Sequence, residues 1–132
     1  MPVSMEIREN GRVVFYQYRD PFNLHELNAL YLQDENHRNS VDFLVHTVLD
    51  MSGVKNLPQG IIGARVGSPV LVHPRSGVIV VVGAGPLSQS IAGVVLRLTR
   101  KQAHFFKTES EGWDFVRKHL EKESAAVQSG LS

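Results

Sequence analysis

Residues 43–60 read FLVHTVLDMSGVKNLPQG. Phe43 to Leu49 is almost continuously apolar, the composition of a strand covered on both faces, and the run stops at Asp50, Ser52 and Gly53, residues that favour turns. A second run, Val78-Ile79-Val80-Val81-Val82, is β-branched throughout and stops in the same way at Gly83-Ala84-Gly85-Pro86. When two neighbouring strands of one sheet both end in small turn residues ahead of a helix, their carboxyl ends lie side by side. In open α/β sheets that crevice is the usual place for a ligand.

Working outward, the chain opens with a hairpin. Val3, Met5 and Ile7 alternate with Ser4, Glu6 and Arg8, Asn10-Gly11 reverses the direction, and a second alternating run covers Val13 to Tyr18. Asn23 and Glu26 form a capping box, and Leu24, Leu27, Leu30 and Tyr31 recur at helical spacing, which predicts a helix over Leu24–Glu35 and a polar connection at Asn36–Ser40. Gln59 to Val66 is expected to form one or two turns of helix, shortened by Gly60 and Gly63. Pro86 suits the first turn of a third helix, for which Leu87, Ile91, Val94, Val95 and Leu98 give an inward stripe, with Arg97, Arg100 and Lys101 complementing the dipole at its carboxyl end. A short strand at His104–Phe106 precedes a fourth helix capped by Thr108 and Glu111, with Trp113, Phe115, Val116 and Leu120 on its core face. Beyond Glu121 no apolar face persists. The expected organisation is one domain over residues 1–121 and a frayed tail over residues 122–132.

The fold class that follows is α/β: a mixed sheet of about five strands with an antiparallel amino-terminal hairpin, the remaining strands parallel and reached through right-handed crossovers, and four helices. Composition agrees with a globular chain: 132 residues, 42% hydrophobic and 20% charged. Fourteen basic against thirteen acidic residues leave a net charge of +1, which disfavours nucleic acid as a partner. Zero cysteines exclude disulfides, thiol catalysis and cysteine-based zinc sites. The first ten residues carry Glu6, Arg8 and Glu9 and no apolar run, and Val78 to Val95 is broken by Gly83, Gly85 and Pro86, so neither reads as a targeting signal or a membrane span. A cytoplasmic location is the expectation.

The element order, together with VLDMSGV at the strand end, VHPRSGVIVVVGAGP and the closing HFFKTESEGWDFVRKHL, resembles the STAS-like superfamily, the sulphate transporter and anti-sigma-factor antagonist domain, and especially its SpoIIAA-like branch. The resemblance covers roughly Val3 to Leu120. It implies a non-enzymatic module whose loop after the third strand, with the start of the following helix, contacts a partner protein. In the antagonist branch this loop carries a phosphorylatable serine or threonine. Here Asp50-Met51-Ser52 and Val54 match the lead-in, but Leu57-Pro58-Gln59-Gly60 stands where the phosphoacceptor would be and offers no hydroxyl.

The partner-binding candidates are therefore Asp50, Met51, Ser52, Gly53, Val54, Leu57 and Pro58, with Met51, Val54 and Leu57 expected as exposed apolar contacts around Ser52. Ser52 is also the candidate phosphorylation site, where a phosphate would add about −1.5 to −2 charge beside Asp50. Against this, an aspartate at a strand end commonly accepts N–H bonds from its own turn, and a serine there commonly just closes it. Gly83, Ala84 and Gly85 form a candidate anion site at a helix start. They fall short of a dinucleotide fingerprint, because Ser88 replaces the third glycine, Pro86 removes a donor, and Phe106-Lys107 stands where a ribose-binding carboxylate would be. No cofactor is expected.

The histidines at 25, 37, 46, 73, 104 and 119 are scattered, with no His-x-x-x-His pair and no carboxylate read at ligand spacing, so no metal site is expected and His46 reads as a core residue. No catalytic residue is assigned. The alternative functions are a small-molecule or lipid-binding version of the scaffold, its apolar ligand lying between the first helix and the loop after strand three, and a phosphate- or nucleotide-binding enzyme using Gly83 to Pro86. Phe22, Leu32 and Trp113 exceed what one small core readily covers, which would favour a homodimer.

Overall fold

Positive φ angles at Glu9 (53°), Asn10 (57°) and Gly11 (88°) turn the first hairpin, so the reversal begins one residue earlier than the Asn-Gly pair suggests. The computed structural model describes residues 3–58 and 60–130, with side chains through residue 125. Strand β1 (Val3–Arg8) pairs antiparallel with β2 (Val13–Arg19), from Val3 opposite Tyr18 to Arg8 opposite Val13. Strands β3 (Val45–Gly53), β4 (Ser76–Val82) and β5 (His104–Phe106) then add in parallel, giving a five-stranded sheet in the order β1-β2-β3-β4-β5. This is the mixed α/β sheet that the patterning predicts.

The alternation of side chains along the strands divides the core in two. One face carries Val14, Tyr16, Tyr18, Val45, Met51, Ile79 and Val81, and is covered by α1 (Leu24–Asn39), α2 (Ile61–Val66), α3 (Pro69–Val72) and α4 (Pro86–Thr99). The other carries Val13, Phe15, Val48, Val80 and Val82 beneath α5 (Glu109–Gly130) alone, through Trp113, Val116 and Leu120. The four expected helices are present, and α3 is an additional single turn between α2 and β4. Both N-caps form: the Asn23 side chain accepts the Glu26 N–H at 2.8 Å, and the Thr108 hydroxyl oxygen accepts the Glu111 N–H at 3.3 Å.

Several boundaries differ from expectation for identifiable reasons. Helix α1 absorbs Asn36 to Asn39, with Ser40 as its C-cap, because Asp34 and Arg38, one turn apart, are both fully buried beneath it. Arg38 bonds Asp34 through Nε at 2.5 Å, the Val45 carbonyl at 2.9 Å and the Thr47 hydroxyl at 2.8 Å, while the Tyr16 hydroxyl donates to Asp34. Strand β3 continues through Asp50, Met51 and Ser52 to Gly53, since β2 outlasts β4 and pairs Arg19 with Gly53. Helix α5 continues past Glu121 to Gly130, with Glu123 bonded to His46, so the expected boundary at residue 121 falls inside a helix. Met1, Pro2, Gln59 at the start of the expected second helix, and the last two residues of the expected tail lie outside the described residues.

Two apolar assignments also change. Phe22 and Trp113 are buried, in edge-on contact with Tyr18 and Phe15 at 5.2 and 5.4 Å, and only Leu32 of the proposed self-association set stays exposed. On α4, Leu87 and Leu98 face solvent while Ser88 and Val95 face the core. Apolar residues occupy more than half of the circumference of this helix, with Ala92, Val95 and Leu96 beside the Leu87–Leu98 stripe, so periodicity alone does not fix its rotation. Among the described residues no helix is long and apolar enough to cross a membrane.

Candidate functional site

The two strand ends meet. An ideal Cβ at Gly83 would lie 2.6 Å from the Ser52 Cβ, and Gly83 takes a φ of +67°, so this glycine is demanded by its neighbour strand and by its own backbone. Its N–H bonds the Phe106 carbonyl at 2.9 Å, tying β5 to the same rim. Close approach to Ser52 therefore accounts for the first glycine of the Gly-Ala-Gly turn without any ligand.

On the β3 side, Asp50 is buried, and its Oδ1 accepts both the Ser52 N–H at 3.0 Å and the Ser52 hydroxyl at 2.6 Å. The Asp20 carboxylate accepts the Lys55 N–H at 2.7 Å, and the Val54 N–H bonds the Met51 carbonyl at 3.0 Å, which closes the loop onto β2. Ser52, Gly53, Lys55 and Asn56 are exposed, Leu57 and Pro58 half-buried. Met51 and Val54 are buried, at 1% and 7% exposure, which corrects the expectation that they are exposed contacts: strand alternation turns Met51 into the core with Val45 and Leu49. The rim thus presents polar loop residues, and its apolar surface comes instead from α4, which leaves it at Pro86. Leu87 and Leu98 are 53% and 64% exposed, and the half-buried Ile91 and Val94 lie between them on one stripe.

Under α4, against the sheet, lies an apolar cavity of about 50 Å³ reached by Tyr18, Met51, Arg65 and Ser88. Nothing in the periodicity of the sequence signals it, because Arg65 belongs to the short α2 segment.

A second polar cluster lies at the amino-terminal end of β3. His46, wholly buried, bonds Glu123 Oε1 through Nε2 at 2.8 Å; Arg12 donates to the same oxygen at 2.8 Å, and His119 Nε2 is 3.6 Å from Oε2. His119 and Glu123 stand one helical turn apart, so the reading that no histidine sits beside a carboxylate at ligand spacing is corrected. The three donors lie within 4.8 Å of one another, a spacing that would suit a metal. The tautomer argues otherwise: His46 Nδ1 accepts the Val78 N–H at 2.9 Å, so the neutral ring carries its proton on Nε2, the atom a metal would need.

The same geometry resists protonation of His46. Burial holds its pKa below the usual histidine value, with His119 and Arg12 adding to the effect and Glu123 opposing it. A histidine whose folded pKa lies below its unfolded value leaves the unfolded chain binding more protons, so this contribution to stability is present above about pH 6.5 and lost as pH falls below it. The urea midpoint is expected to drop between pH 7.5 and 5.5, in parallel with His46 ring-nitrogen shifts that keep the neutral pattern while the protein stays folded. A midpoint that rises on acidification, or a charged His46 in the folded protein, would contradict this account.

Comparison with protein-family models and with characterised proteins gives no match to this chain.

Proposed function

We propose that this chain is a non-enzymatic, STAS-like binding module that recognises a protein partner across the joined ends of β3 and β4 and the outer face of α4. The observation that carries the reading is the stripe on α4 that begins at the rim, with Leu87 and Leu98 more than half exposed and the half-buried Ile91 and Val94 between them. Contiguous exposed apolar surface rimmed by polar groups marks interaction sites. Ser52, Lys55 and Asn56 supply that polar edge, and Arg97, Arg100 and Lys101 stand at the far end of the helix. The complementary partner is an apolar groove that accepts one helix face, with carboxylates where the α4 carboxyl end docks. The resemblance to the antagonist domains supports the same end of the sheet as the docking surface.

Met51, Val54 and Asp50 take a supporting part in this reading, shaping the rim from beneath. Phosphorylation of Ser52 would replace its bond to Asp50 with like-charge repulsion and loosen the loop, giving a means of control.

The test is affinity capture with the intact protein, Leu87→Asp, Ser52→Glu, and Glu121→Lys on the opposite layer as control. Leu87 is more than half exposed, so its replacement leaves stability within about 0.5 kcal/mol. A partner retained by the intact and control proteins is expected to be recovered about 30-fold less with Leu87→Asp, the loss of an anchor worth about 2 kcal/mol. Equal recovery by all four proteins overturns the proposal.

A further inference from the structure

We propose that the cavity beneath α4 binds a short-chain aliphatic monocarboxylate, its chain against the sheet and its carboxylate on Arg65. This goes beyond the rim reading and does not rest on it. The walls are Leu49, Ile79 and Val81 from the sheet and Val95 and Leu96 from α4, an apolar lining of the kind that accepts hydrocarbon. Against this lining stands one cation. Arg65 reaches Met51 Sδ at 3.7 Å and lies over the Tyr18 ring at 5.8 Å, and among the described residues it forms no ion pair with a carboxylate. Arg65 is half-buried, and a guanidinium held at the edge of apolar surface without a counter-charge offers charge-assisted donors to an anion. Tyr18, Tyr31 and the buried Ser68 and Ser88 also line the space.

Size selects within the class. The cavity of about 50 Å³ is small and open on one side. A short chain lies within it, whereas a longer one extends past the opening and keeps apolar surface in water, and an uncharged amide of the same shape forfeits Arg65. Helices α2 and α3, six and four residues long, form the neighbouring wall and are the elements past which a ligand would enter.

The probe is butyrate, with butyramide and octanoate for comparison, followed on the intact protein by calorimetry and by methyl NMR. Butyrate is expected to shift the methyl signals of Leu49, Val81 and Val95, and butyramide and octanoate to bind at least about tenfold more weakly. Arg65→Met keeps the apolar wall and should weaken butyrate about tenfold or more, the usual size of a hydrogen bond to a charged group. Ala92→Leu fills the space while leaving Arg65 in place, and should abolish the methyl shifts; it keeps the question answerable should Arg65→Met fold poorly. The proposal fails if millimolar butyrate moves none of these methyls, if butyramide binds as well as butyrate, or if binding survives Ala92→Leu.

Discussion

Arg38→Ala is expected to destabilise the protein by about 3–5 kcal/mol, the cost of stranding a buried charge. Arg38 and Asp34 are both 0% exposed, and every polar atom that faces Asp34 belongs to this network. Removing the guanidinium leaves a carboxylate in the core with only the Tyr16 hydroxyl and frees the Val45 carbonyl and the Thr47 hydroxyl from their partner. Burial first, and the adjoining Asp34 charge second, hold the Tyr16 hydroxyl far above the usual tyrosine range, so it stays a donor and cannot take the arginine's place. The loss should appear as a lower urea midpoint with an unchanged slope. Replacing Asp34 and Arg38 together by leucine should cost much less than Arg38→Ala, because no charge is then stranded. A loss under about 1 kcal/mol for Arg38→Ala would mean that the network is wet, contrary to the burial described above.

Gly77→Ala is expected to cost about 2–4 kcal/mol, combining overpacking with the loss of a buried hydrogen bond. The added methyl carbon would fall 2.1 Å from His46 Nδ1 and 2.4 Å from Cε1. The ring cannot step aside cheaply, since the Val78 N–H holds one nitrogen and Glu123 the other. Gly63 makes the contrast: nothing lies within 4 Å of its would-be methyl, and it sits inside α2, so Gly63→Ala should be neutral or stabilising by about 0.4–1 kcal/mol. Adding His46→Ala to Gly77→Ala should cost less than the sum of the two single changes, and strict additivity in that cycle would show that the two residues do not touch.

The hairpin, the parallel inner strands and the joined rim are all legible in the sequence, because alternation, β-branched runs and strand-end glycines report on local backbone and face. What escapes is set by partners far along the chain. The end of β3 is fixed by β2 at Arg19, not by the turn residues Asp50 and Ser52 that signal it. Asp34 reads as a polar position near the end of the first helix and Arg38 as part of the polar connection after it, and only their spacing of four residues hints that they pair inward. His46 and Glu123 are 77 positions apart, beyond the reach of any local pattern. The rotation of α4 is ambiguous because Leu87, Ile91, Val94 and Leu98 would serve as well inside as outside; the structure puts the small Ser88 and Ala92 inward, which leaves both the cavity and the exposed stripe.

The most direct measurement of the recognition surface is amide hydrogen exchange on the complex with the captured partner. Slowed exchange is expected over residues 52–56 and 84–98, with α5 unchanged. Protection confined to residues 109–125, or none on the rim and α4, would contradict the proposed docking surface.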